Sequence, residues 1–119
     1  MEYSDEMITF ETDCCEGKQP LRKTYYHATE EKNFDSILEK GILKGIDGVV
    51  YVCEKPEEAA RFLAIRGIKT IFVFEVHIEE SFISESFDHN ERFFRCKAYM
   101  YSKDILREEI VGCSKYELP

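Results

Sequence analysis

The 119-residue sequence has no tryptophan, only three prolines and six glycines, and none of those glycines falls in a G-x-G-x-x-G, Walker A or G-x-S-x-G pattern. The common dinucleotide-binding, NTPase and hydrolase signatures are therefore missing. No apolar run approaches the roughly 20 residues that a membrane span requires. The opening MEYSDEMITF is acidic and lacks the apolar core of a secretory signal, so the cytoplasm is the expected compartment. Basic charge is also scarce, with 16 Lys and Arg against 24 Asp and Glu, a net of −8. Such a surface repels polyanions on average, which argues against nucleic acid or an anionic membrane as partner. The five cysteines (Cys14, Cys15, Cys53, Cys96, Cys113) are an odd number without a C-x-x-C pair, and adjacent Cys14 and Cys15 are poorly spaced for one metal, so no metal site is expected.

What is present is a core. Hydrophobic residues make up 44% of the chain, including nine Phe and seven Tyr. A chain of this length forms one domain and removes about two-thirds of its unfolded surface from water, without needing a disulfide or metal. Residues 1–23 read as an N-terminal strand (Met7 to Glu11) and a loop, and residues 24–119 as the domain proper. Leu21 to Ala28 is rich in aromatic and β-branched residues and predicts a strand, after which Thr29 is placed to cap a helix. Phe34, Ile37, Leu38 and Ile42 recur at helical spacing over Glu30 to Lys40, with Gly41 as the stop.

Ile46-Asp47-Gly48 predicts a turn, and Val49 to Cys53 a short strand buried on both faces. Pro56 suits the first position of a second helix, with Glu57 and Glu58 complementing its dipole, and Gly67 ends it. Thr70 to Ile78 alternates over two faces and is the clearest strand. Ser81 to Asn90 is polar and reads as irregular, and Phe93 to Tyr101 predicts another strand with Arg95, Lys97, Tyr99 and Tyr101 on its wetter face. A turn of helix over Asp104 to Glu108 and the apolar pair Ile110-Val111 close the pattern. Helices early and antiparallel strands late make the fold class α+β.

With no motif present, chemistry must come from polar residues at strand ends. His27 follows two tyrosines at the end of a strand, where a side chain projects either into a cleft or onto the helix behind it. Tyr51 lies in an apolar strand, so its hydroxyl needs a partner and its ring can stack on a planar ligand. His77, within an alternating strand, reads as a face residue, and His89 as solvated.

The run Tyr26-His27-Ala28-Thr29, the helix leading to Ile37-Leu38-Glu39-Lys40-Gly41-Ile42, then Val49-Val50-Tyr51-Val52 and Pro56 to Phe62, resembles the first half of the ADP-ribosyltransferase superfamily. The resemblance covers about residues 24 to 111. It is nearest to small bacterial and phage ADP-ribosyltransferase-like domains and more distant from RNA 2′-phosphotransferases, and an acidic, compact domain would also suit a phage or host-conflict inhibitor that blocks a basic surface. It implies a split antiparallel β-sheet core with two or three short helices and NAD as the ligand. His27 then bonds the ribose, the backbone at Ala28 and Thr29 holds the carboxamide, Tyr51 stacks on nicotinamide, and Tyr26 and Arg66 complete the binding set. The family's catalytic acid has no counterpart among Arg95, Lys97, Ala98 and Tyr99, which leaves Glu91, or Asp88 before it, for that role. RNA 2′-phosphotransferases carry a His where Tyr51 stands, and together with the −8 charge this turns the expectation toward a protein acceptor. The expected function is mono-ADP-ribosyl transfer from NAD to a protein or other macromolecule. The alternative is a silent module of the same fold that binds a nucleotide or inhibits a protein partner.

Overall fold

The computed structural model describes residues 21–85 and 98–119. The strand expected at Met7 to Glu11, Cys14, Cys15, Cys96 and the segment with Asp88, His89 and Glu91 lie outside them. In chain order the elements are β1 (Arg22–Glu30), α1 (Phe34–Lys40), β2 (Val50–Val52), α2 (Pro56–Ala64), β3 (Thr70–Glu79), β4 (Ile83–Glu85), β5 (Tyr99–Tyr101) and β6 (Ile110–Glu117). Single turns of 3-10 helix precede α1, β4 and β6. The strands form two three-stranded antiparallel sheets, β1-β3-β6 and β2-β5-β4, so the fold is α+β. Among the described residues no helix is long and apolar enough to cross a membrane.

β3 explains the layering. Its alternation puts Phe72, Phe74, Val76 and Ile78 on one face and Ile71 and Val73 on the other, and five of these six are fully or nearly fully buried. A strand buried on both faces must be central, and β3 pairs with β1 on one side and β6 on the other. The Phe74 face packs with Tyr25, the second sheet through Val50, Val52 and Tyr101, and α1 through Ile37. Phe34 joins this layer by packing at a tilt against Phe72, with ring centroids 4.3 Å apart. The Ile71–Val73 face receives α2, whose small buried residues Ala59 and Ala60 allow close approach, with Phe62, Leu63 and Tyr116 at the margin.

Several expectations are corrected. Thr29 caps no helix: β1 continues through Glu30, and the buried Thr29 hydroxyl accepts a hydrogen bond from Asn33 Nδ2 at 3.1 Å. The first helix is only Phe34–Lys40 after a 3-10 turn at Glu31–Asn33, and Leu38 is exposed, so the buried stripe is narrower than the spacing implied. Ser81 onward is not irregular throughout, since Ile83–Glu85 pairs with β5. Tyr101, expected on a wet face, is wholly buried because β5 lies between β2 and β4 and turns that residue into the space between the sheets. The Ile110-Val111 pair opens an eight-residue strand, β6, bulged between Glu75 and Val76 of its partner.

One join between the sheets positions the site. Tyr26 of β1 and Cys53, just after β2, exchange both backbone hydrogen bonds, each 2.8 Å. Beyond that pair the strands part.

Candidate functional site

The alternation of an antiparallel ladder fixes where the backbone points at this split. Tyr26 spends its N–H and C=O on Cys53, so Tyr25, His27 and Thr29 are the residues of β1 that hydrogen-bond β3. Ala28 therefore turns its amide and carbonyl toward the side that β2 has left, and no backbone group of β2 reaches them. In a continued ladder they would face Tyr51. Instead, the Tyr51 carbonyl lies 2.8 Å from His27 Nδ1. A carbonyl can only accept, so Nδ1 carries the proton and donates it. His27 thus props the gap open with a side chain where a rung of the sheet would close it.

Burial pushes the His27 imidazole below its ordinary value, and the Tyr51 carbonyl opposes that shift only in part. The neutral ring, with Nδ1–H committed, presents the Nε2 lone pair as an acceptor. Tyr26, half-buried beside it, keeps its phenol proton: burial raises its pKa first, and Glu75 and Glu57 add to the effect.

A cavity of about 210 Å³ fills the split. Tyr26, His27, Ala28 and Tyr51 form one wall, Phe62, Leu63 and Arg66 from α2 and its end form the other, and Ala98 lies at its edge. That is smaller than the roughly 300–1,000 Å³ of pockets for drug-sized ligands, so it suits one planar ring rather than a whole dinucleotide. His27 also borders two further hollows, one of about 210 Å³ toward α1 and one of about 580 Å³ beneath residues 43–51. His27 is thus common to the lining of all three.

Of the residues singled out in the sequence, Tyr26, His27, Ala28, Tyr51 and Arg66 meet at this one cavity. Thr29 does not: it is buried and faces the hollow next to α1. His77 is exposed on the far part of β3, as its place in an alternating strand indicated. Glu91 lies outside the described residues, and none of the described residues lining the cavity is a carboxylate. Among the described residues no group of His, Cys, Asp and Glu is arranged to hold a metal ion.

One contributor had no individual signal in the sequence: Asp47, within a turn, accepts the Tyr51 hydroxyl at 2.8 Å. No protein-family model matches the chain, and comparison with curated proteins gives no match.

Proposed function

We propose that this protein is an NAD-dependent mono-ADP-ribosyltransferase that modifies a protein or another macromolecule. The observation that carries the reading is the split at Tyr26–Cys53, where His27 spans the gap to the Tyr51 carbonyl and leaves one amide and one carbonyl of Ala28 facing a cavity for one ring. A primary carboxamide on an aromatic ring matches that adjacent donor and acceptor. Nicotinamide is such a ring, and NAD supplies the chemistry of a scissile bond between it and ribose.

The chain's residues divide the work as follows. The Ala28 backbone holds the carboxamide, and the Tyr51 ring lies against the pyridine face. The Nε2 of His27 accepts from a ribose hydroxyl. Arg66, exposed at the cavity rim, is set to meet phosphate. Departure of nicotinamide builds positive charge on the ribose, and orientation plus a fixed negative group lowers that barrier. Glu91 is the residue assigned to that charge.

A second reading has its own observation. The described cavity lining contains no carboxylate, which suits a silent module that binds NAD or a related nucleotide, or a protein partner, without cleaving it. Nicotinamide release from NAD, measured for the wild type, His27→Ala and Glu91→Gln, separates the two. The transferase reading expects release by the wild type and a loss of about a hundredfold or more in each variant, the order seen when a transition-state contact is removed. Release no faster than the uncatalysed background refutes it, and thermal stabilisation by NAD without release supports the silent module.

A further inference from the structure

We infer that Asp47 is a positioning residue of this cleft: by accepting the Tyr51 hydroxyl it fixes the ring that walls the cavity. The inference rests on the NAD reading above and adds the device that prepares the ring for its ligand. Asp47 sits in a turn closed by Gly45 N–H to the Val49 carbonyl at 3.1 Å and by Gly48 N–H to the Gly45 carbonyl at 2.9 Å. Gly48 has a φ of 81°, which lets the chain reverse there. Asp47 itself is exposed, so its carboxylate has no burial to compensate, and its described hydrogen bond is the one to Tyr51.

Tyr51 borders both the 210 Å³ cavity and the 580 Å³ hollow, so its rotamer sets the wall between them. Its backbone is held by the register opposite Met100 and by the carbonyl that accepts from His27. The Asp47 contact restrains the ring torsions as well. If the ring is released, the binding-competent rotamer is only a fraction of the population, and the apparent Kd rises by the inverse of that fraction. Two or three populated rotamers and the loss of one charge-assisted hydrogen bond give about a three- to tenfold weakening.

The test compares the wild type, Asp47→Ala, Asp47→Asn, Tyr51→Phe and the double variant Asp47→Ala/Tyr51→Phe, with NAD as the probe in calorimetry and in nicotinamide-release kinetics. Positioning expects Asp47→Ala to weaken NAD binding about three- to tenfold with kcat within about twofold, Tyr51→Phe to weaken binding by a similar factor, and the double variant to be no worse than the weaker single. Asp47→Asn keeps an acceptor oxygen and restores binding to within about twofold. Additive single effects overturn the inference, as does an Asn variant as weak as the Ala variant, which assigns the effect to charge. Amide exchange at Gly45 and Gly48 in the free protein is the ligand-independent arm. Faster exchange in both Asp47→Ala and Tyr51→Phe supports the tether, and unchanged exchange in both overturns it. A wild type that shows no NAD binding overturns the functional reading instead, whatever the exchange data say of the tether.

Discussion

Replacing Gly41 with alanine tests the packing that holds the loop leading to the cleft. Gly41 follows α1 with φ 81° and ψ −171°, a region that residues with a Cβ scarcely enter and that costs them about 1–3 kcal/mol. Space is short as well: an added Cβ would overlap the Ile105 carbonyl oxygen and stand 3.2 Å from the Arg107 amide. That carbonyl accepts from the Ile42 amide at 2.8 Å, and Ile105 N–H returns the bond to Ile42 at 2.8 Å. Moving the carbonyl away weakens both bonds, each worth about 1 kcal/mol net, and disturbs two side chains at the centre of the larger core cluster.

The expected loss from Gly41→Ala is therefore about 3–5 kcal/mol, a large share of the roughly 5–15 kcal/mol that holds a domain folded. It should appear in urea unfolding and as a fall of about 10–20 °C in Tm. Gly48→Ala is the control. It has the same φ of 81° with nothing within 4 Å of the added Cβ, so it should cost only the conformational part, about 1 kcal/mol. Equal losses in the two variants, or less than about 1 kcal/mol for Gly41→Ala, would refute the steric account.

Three further outcomes follow from the same structure. Because burial lowers the His27 pKa, the unfolded chain takes up a proton as pH falls below about 6.5 that the folded ring refuses, so stability declines through that window. His27→Gln removes this slope, and its Tm should fall less than that of the wild type between pH 7.5 and 5.5; equal falls contradict the assignment. Glu109 is buried and accepts from Arg22 Nη1 and from the Leu106 amide at 2.8 Å each; on Glu109→Ala the Leu106 amide loses this acceptor, and Arg22 is left with the His77 carbonyl at 3.1 Å and the longer pair with Glu79. Urea unfolding should show a loss of about 1–3 kcal/mol, and Arg22→Ala added to it should cost less than it does alone. Phe74→Ala removes a ring with no exposed surface between the two sheets and should cost about 3–5 kcal/mol, whereas Phe62→Ala at the partly open cavity wall should cost clearly less.

How far these features were legible in the sequence depends on what encodes them. β3 was readable because its own side chains carry the alternation, and α2 because Pro56, Glu57 and Glu58 mark its start. β6 was not, since beyond Ile110 its residues are Val, Gly, Cys, Ser, Lys, Tyr and Glu, and β3 supplies the hydrogen bonds whatever the side chains are. Tyr101 was placed on the wrong side because the charged alternation before it says nothing of a second sheet closing over it. At the site, His27 and Tyr51 stood out as polar groups among apolar neighbours. The Ala28 backbone was named through the resemblance alone, whereas the divergence of two strands 24 residues apart at His27 and Tyr51 and the Asp47 contact are recorded in no local pattern.

The central place of β3 also sets an order of events. Its first partner, β1, is joined through pairs such as His27 and Phe74, with α1, β2 and α2 in between, and its second, β6, arrives only after the whole second sheet has been made. Contacts of such long sequence separation close slowly. The edge of β3 that pairs with β6 therefore keeps its backbone N–H and C=O groups unpaired on a nascent chain until residues 110–117 emerge, which makes that strand the segment most prone to intermolecular pairing and marks β6 as the element whose deletion should send the protein into aggregates.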